Sequence, residues 1–337
     1  MTENNLYIYS RIKSNGVKVV VDALEQACLR AGLSCLQVYS LDGISKDSLV
    51  LAYGVKENFE LLQKGYRTDV ALLIDAVSLG FKNKIAFYLK NRHILNYDFF
   101  YSIYAWLKWR RRDKTVVKAF KSVVLVSKTD IDYLKRLCPE ATCNYLLVRN
   151  GANIPSVRCE RAPSSHLRLG MLASWGNPVT YEESAWFVEK YFQKYVKNHP
   201  NVTLTLAGRG SYIHRLEGRQ NVLVMGEVPE LKDFFSQIDI FLAVNPKGCG
   251  VLNRVLDAFA YQVPVVALPA SMSGFQDIDD CYLGFSDLSG FQEAIDMSQD
   301  SVLVGNMIDN AYNYICRNNV WENNYDYLVK EISEQFL

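Results

Sequence analysis

Between Asn245 and Asp257 the chain carries two glycines one residue apart, then an arginine and an aspartate: Gly248, Gly250, Arg254 and Asp257. These residue types at this spacing suit a diphosphate and a sugar diol. Glycines let backbone approach a ligand closely, and the first-turn amides of a helix, at the positive end of its dipole, favour phosphate. A guanidinium one turn in adds a forked cation, and a carboxylate another turn on can accept hydrogen bonds from a ribose. Helical spacing puts Asn253, Arg254, Asp257 and Tyr261 on one face and Leu252, Val255, Leu256 and Phe259 on the opposite one. Taken alone, Arg254 and Asp257 also read as a solvated i,i+3 pair on a surface helix.

The elements that must position these residues decide between the two readings. Ile238 to Asn245 reads as a buried strand, Pro246 to Gly250 breaks it, and the helix follows. Pro264 to Leu268 is a second short strand, with a small-residue loop of Pro269, Ser271, Ser273 and Gly274 behind it. Both loops leave the carboxyl ends of strands in one sheet, where open α/β sheets bind nucleotides.

Gly248, Gly250, Asn253, Arg254, Val255, Leu256, Asp257, Ala258, Ala260, Pro264, Val265 and Val266 resemble the donor-binding segment of the retaining GT-B glycosyltransferases of family 4, closest to bacterial O-antigen and capsule enzymes. The resemblance implies an α/β chain of two Rossmann-like domains facing a cleft. An acceptor domain at 1–155 and a nucleotide-sugar donor domain at 160–319 are expected, with a tail at 320–337 crossing back to the first. It implies a donor site formed by Gly248, Gly250, Val251, Leu252, Asn253, Arg254 and Asp257, with Glu227 and Val228 cupping the nucleobase. Asn15 and Gly16 stand where the family has a glycine-rich first loop, although a plain helix start fits as well. Asp75, at the tip of the strand Asp69 to Ala76, is the candidate for the acceptor-side catalytic group; a loop-capping aspartate is the plainer account. Arg254 is the second catalytic candidate, stabilising the leaving phosphate.

Two departures from the family pattern stand out, and one further motif is weak. The usual arginine and lysine after the strand Leu167 to Leu172 are absent, which leaves the phosphate charge to Arg254 and Arg209. The first of the family's paired acids is replaced by Cys249. Gly208, Arg209 and Gly210 form only a weak dinucleotide fingerprint, lacking a third glycine.

At 337 residues and 49% hydrophobic, the chain can bury two cores. A net charge of +1 gives no global nucleic-acid signal. The eight cysteines and four histidines show no metal-ligand spacing, so no metal and no cofactor beyond the nucleotide sugar are expected. The cysteines read as reduced, the N-terminus as lacking a secretory signal, and the protein as cytoplasmic. Asp277, Ile278 and Asp279 mimic a metal-binding acidic triplet but read as a cap or surface loop.

Charge is concentrated in one stretch. Residues 81–121 hold eleven Lys and Arg against two Asp, a net +9 that leaves the rest near −8. Trp106, Trp109, Val116, Val117 and Phe120 fall on one helical arc, and Arg110, Arg111, Lys114, Lys118 and Lys121 on another. That make-up suits a helix resting on the anionic inner face of a membrane; a basic face over an ordinary core helix explains it nearly as well. The resemblance adds a lipid-linked, polyprenyl-diphosphate saccharide as acceptor and a UDP-linked galactose or N-acetylhexosamine as donor. A sugar-nucleotide epimerase of the same fold and a non-catalytic donor-binding subunit are the alternatives.

Overall fold

Short apolar runs such as Val70–Ile74, Ser122–Leu125 and Ile240–Ala243 are too uniformly hydrophobic for a half-exposed strand, and they form the buried strands of parallel sheets. The computed structural model describes residues 6–11, 15–66, 68–91, 97–156 and 164–336. Its first six strands are β1 (Leu6–Tyr9), β2 (Cys35–Val38), β3 (Leu49–Ala52), β4 (Val70–Ile74), β5 (Ser122–Leu125) and β6 (Asn144–Leu147). They pair in parallel in the orders β2-β1-β3 and β4-β5-β6. A bridge between Tyr53 and Leu72 and a 2.8 Å bond from the Gly54 amide to the Leu72 carbonyl join the two halves. Around them lie α1 (Asn15–Arg30), α2 (Val55–Lys64), α3 (Val77–Lys90), α4 (Tyr97–Ala119) and α5 (Lys128–Leu137).

The second sheet contains β7 (Leu167–Leu172), β8 (Val202–Ala207), β9 (Val222–Gly226), β10 (Ile240–Ala243), β11 (Val265–Ala267) and β12 (Leu283–Gly284). All its pairings are parallel, in the order β12-β11-β10-β7-β8-β9. Its helices are α6 (Pro178–Phe187), which runs through a π turn at Val188–Phe192 into α7 (Gln193–Val196), then α8 (Leu231–Phe235), α9 (Asn253–Ala260), α10 (Leu288–Met297) and α11 (Ser301–Asn318). The order reverses beside β7, so β7 and β10 part their crossovers there and leave a crevice at their carboxyl ends.

The last helix, α12 (Trp321–Phe336), returns to the first domain. Its Tyr325, Leu328, Val329 and Ile332 are buried in the same core as Ile8, Val20, Val21 and Leu24, and Arg30 meets Asp326 at 2.6 Å. The outgoing and returning chains run side by side. The Ala152 amide donates to the Asn319 carbonyl at 2.7 Å, and Asn319 Nδ2 donates to the Asn150 carbonyl at 2.6 Å. Residues 157–163, where the chain passes from the first domain to the second, lie outside the described residues.

The arc of α4 expected to face a bilayer instead packs inward. Val116, Val117 and Phe120 are fully buried, Trp109 lies against the same core, and Trp106 is half-buried. The apolar side of this segment closes over β4 and β5, so only a different side is left to meet anything else. The Asp277 to Asp279 segment forms a turn with Ile278 buried, as a surface loop should. Among the described residues all cysteines are unpaired, and no helix is long and apolar enough to cross a membrane.

Candidate functional site

The loop after β10 is held by backbone contacts that admit only glycine. A Cβ on Gly248 would lie 2.0 Å from the Ala270 carbonyl, and one on Gly274 would lie 1.9 Å from that of Gly250. Ser271 ties the two loops: its hydroxyl donates to the Ala243 carbonyl at 2.8 Å and accepts from the Asn245 amide at 2.6 Å. Gly250 has φ 61, a left-handed conformation that favours glycine. The loop therefore delivers the start of α9 in one fixed orientation.

Val255, Leu256 and Phe259 are fully buried, and Asn253, Arg254, Asp257 and Tyr261 keep some exposure, as the helical spacing requires. Leu252, the residue before the helix, has no side chain able to cap it, and the first-turn amides of Asn253 and Arg254 find no acceptor among the described residues. Asn253 Oδ1 accepts from Asn150 Nδ2 of the first domain at 2.8 Å, so this end of α9 faces across the cleft. Arg254 lies with Glu183, Thr180 and the carboxyl ends of β7 and β10 around a small recess. Neither its guanidinium nor the Asp257 carboxylate has a hydrogen-bond or ion-pair partner among the described residues, and neither is fully covered. Burial lowers the Arg254 pKa, with Glu183 opposing, and pushes Asp257 up to about 7. Two charged groups kept desolvated without partners form a site prepared for something that carries the missing ones.

Across the cleft stand three acids of the first domain. Ile74, a β-branched residue, takes φ 70 at the end of β4, and the Asp75 amide turns back to the Leu73 carbonyl at 2.9 Å. That strained turn aims Asp75 at the donor loop, where a Cβ on Gly250 would be 3.3 Å from its Oδ2. Burial raises Asp75 to about 7, with Asp130 and Asp113 adding repulsion; Asp113 is raised to about 6 for the same first reason. Asp130 is fully buried and accepts from the Ala76 amide at 2.9 Å and from Ser127. It also accepts from the Gly250 amide at 3.2 Å. A carboxylate thus sits on one of the loop amides expected to receive phosphate. Cys249 lies against this group, its thiol pushed up by burial and by Asp75 and Asp130. A fourth carboxylate at that position would add further repulsion, which gives the replaced acid a physical reason.

Sequence reasoning missed Lys247. It is 5% exposed and stands 3.6 Å from Glu182 and 3.5 Å from Glu183, with Nζ 5.4 Å from the Phe87 ring centre. Its ammonium makes no hydrogen bond. Glu183 lines the same recess as Arg254, so through it a second buried cation borders the recess even though the expected arginine and lysine after β7 are missing. The only signal in the sequence was a lysine inside a glycine loop.

Arg209 is exposed, 3.9 Å from Glu227, which is also exposed. Its flanking Gly208 and Gly210 serve packing: their Cβ atoms would strike the Ala173 carbonyl and the Gly176 amide, and the Arg209 carbonyl accepts from the Trp175 amide at 2.7 Å. Val228, Val251 and Leu252 are half-buried against the core beneath α9. Asn15 and Gly16 open α1; their side chains lie outside the described residues. Arg110 lies over Trp106 at 5.5 Å and Lys118 pairs with Glu140 at 2.8 Å, whereas Arg111 is exposed and Lys114 half-buried. No group of three metal-ligating side chains comes together among the described residues.

Residues 167–297, from the start of β7 to the end of α10, match the family of glycosyl transferases group 1. No curated protein matches the sequence. The fold is shared with a sucrose-phosphate synthase from Thermosynechococcus elongatus, at TM-score 0.74 and 11% identity over 98% of this chain and 99% of that one. A glycosyltransferase from Rickettsia africae aligns at TM-score 0.59 and 14% identity over 99% of each chain. A UDP-forming α,α-trehalose-phosphate synthase from Burkholderia xenovorans, in complex with glucose-6-phosphate, aligns at TM-score 0.62 and 11% identity over 94% and 77%. The architecture is GT-B, and the second domain matches the group 1 glycosyltransferases.

Proposed function

We propose that this protein is a retaining glycosyltransferase that moves a hexose or N-acetylhexosamine from a UDP-sugar to a lipid-linked saccharide during bacterial surface-polysaccharide assembly, acting at the cytoplasmic face of the membrane. The observation that carries the reading is the pairing of Arg254 and Asp257, both desolvated and unpartnered, on the cleft face of α9. The match of 167–297 to group 1 glycosyltransferases supports the same reaction class.

In this reading the first-turn amides of α9 and the Arg254 fork receive the diphosphate, with Lys247 adding charge from the other side of Glu183. Asp257 accepts the ribose hydroxyls. As the anomeric bond breaks, negative charge grows on the departing phosphate, and these fixed donors stabilise it without reorganising. Asp75 sits across the cleft, where an acceptor hydroxyl would approach from the side the leaving group departs. Its raised pKa suits it to take up and release a proton near neutrality. The interdomain contacts exclude water, which suppresses hydrolysis of the donor.

Thermal denaturation of the purified protein with a panel of nucleotide sugars tests this. A UDP-sugar at about 100 times its Kd should stabilise the fold by roughly 2.7 kcal/mol, a shift of several degrees. Arg254→Ala should abolish the shift and the release of UDP on adding acceptor. No shift with any nucleotide sugar would overturn the proposal.

A further inference from the structure

We infer that the groove between α3 of the first domain and α6 of the second is a subsite for a neutral saccharide, holding a part of the acceptor several sugar units away from the hydroxyl that reacts. Phe87 and Tyr88 form one wall, Tyr181 and Trp186 the other, and they enclose about 540 Å³. That is the size of a small-molecule site, roughly 300–1,000 Å³, at a boundary between domains where such sites concentrate. The rings are already set. Phe87 meets Trp186 edge-on at 5.3 Å, Trp186 Nε1 donates to Asn91 Oδ1 at 3.2 Å, and the Tyr88 hydroxyl donates to Glu182 Oε2 at 3.2 Å. Little side-chain freedom is left for a ligand to freeze out.

The chemistry of the walls selects the ligand. A pyranose ring carries C–H bonds on its faces and hydroxyls on its rim. Half-buried aromatic rings take the faces, and Glu182 and Glu189 can accept from the hydroxyls. Both carboxylates are already matched by cations: Glu182 has Lys247 at 3.6 Å, and Glu189 has Arg219 at 3.1 Å. The Lys190 ammonium is engaged by Asn91 at 3.3 Å and lies 5.1 Å from the Trp186 ring centre. A phosphate or uronic acid would meet two carboxylates and have to break one of these pairs, whereas a neutral ring leaves them intact.

The distance to the reaction follows from α3, which runs along the donor loop. Asp75 stands before its first turn beside Gly250, and a Cβ on Gly80 would lie 3.0 Å from Cys249 Sγ. Further on, Asn83 Nδ2 donates to the Gly248 carbonyl, and the Phe87 ring lies beside Lys247. At about 1.5 Å per residue, the helix carries Tyr88 roughly 16 Å from its start at Val77, several pyranose lengths from Asp75. The groove is therefore too distant for the sugar that reacts and suits a chain extending from it. Its walls belong to different domains, so an occupant also favours the closed cleft. The acceptor role rests on the transferase reading above; the preference for a neutral saccharide does not.

The test is calorimetric titration of the full chain with cellotetraose, maltotetraose, chitotetraose and a galactotetraose, and with tetragalacturonate as the anionic counterpart. At least one neutral tetraose should bind, and tetragalacturonate should bind more weakly. Trp186→Ala and Tyr181→Ala should each weaken the neutral ligand by about tenfold or more. Tyr181 is only half-buried, so its variant carries the test if Trp186→Ala does not fold. Both should keep the UDP-sugar shift in melting temperature. A chain that binds a tetraose but no nucleotide sugar keeps the subsite and sinks the transferase reading, and the reverse result sinks the subsite alone. No binding of any tetraose, binding unchanged in every variant that folds, or tighter binding of tetragalacturonate would overturn the inference. So would concentration-dependent self-association that Tyr181→Ala abolishes, which would make the groove an interface between copies.

Discussion

Arg254 and Asp257 differ from the exposed pair they resemble in sequence because each has been drawn partly out of water without being given a partner. Removing the guanidinium should lower kcat/KM by about 10²–10³, the cost of deleting one fixed donor to a developing anion. Arg254→Lys should recover little of it, since a point charge cannot fork. Steady-state kinetics of the two variants checks this. Asp257 gives a pH signature. Its carboxyl is raised to about 7, so the native state holds that proton more tightly than the unfolded chain does. Its contribution to stability is greatest at low pH and is lost as pH rises from the ordinary carboxylate range through about 7. Asp257→Asn should therefore stabilise the protein at pH 8, on the order of 1–3 kcal/mol allowing for screening at its accessible tip, and should change little at pH 4. From pH 6 to pH 8 ionisation of Asp257 favours binding of a UDP-sugar while ionisation of Asp75 opposes it, so the loss of affinity in Asp257→Asn relative to the wild type should grow across that range. Urea denaturation and calorimetry at the two ends of the range measure both effects.

Elements differed in how openly the sequence wrote them. The helix α9 was legible because its buried and cleft faces alternate at strict helical spacing, and its loop because glycine alone fits there. Gly250→Ala should cost about 1–2 kcal/mol in urea denaturation from the left-handed backbone alone, before the new methyl meets Asp75. By contrast β3 and α2 went unread. The buried side of α2 includes Glu57 and Asn58, which break the apolar period. Asn58 is fully buried because its amide donates to the carbonyls of Ala52 at 2.7 Å and Gly54 at 2.8 Å, a tertiary need invisible in the spacing. In α4 the amphipathic pattern was plain but its destination was not. The same arc of tryptophans and valines satisfies a bilayer or a protein core, and only the neighbouring strands decide. Lys247 was hidden for the opposite reason, since a loop residue has no period, and its importance comes from two glutamates some sixty residues away in sequence.

At the scale of the whole molecule, the two domains meet through a carboxylate. Asp130 holds the Gly250 amide, so an anion of the protein's own already occupies part of the place proposed for the donor's phosphate. Thr129 reinforces the contact by donating to the Ser273 carbonyl at 2.5 Å. A donor entering this cleft must displace Asp130 or settle beside it, against the repulsion of Asp75 and Asp113. In Asp130→Asn the oxygen facing Ala76 can be kept, while the group facing Gly250 becomes a donor and can no longer accept. A hydrogen bond to a charged group contributes about 1.5–3 kcal/mol, so its loss should free the amide and tighten UDP-sugar binding by about tenfold in calorimetry. The unliganded variant should also scatter X-rays as a more open particle than the wild type. The wild type's pH response follows the same acids: with Asp75 raised to about 7 and Asp113 to about 6, the midpoint of thermal unfolding should fall as pH rises from 5 to 8. The slope should be shallower in Asp130→Asn, because Asp75 then loses its largest charged neighbour. Weaker donor binding in that variant would instead make Asp130 part of the support that positions the loop, and the two domains would then be joined for assembly of the site rather than for its release.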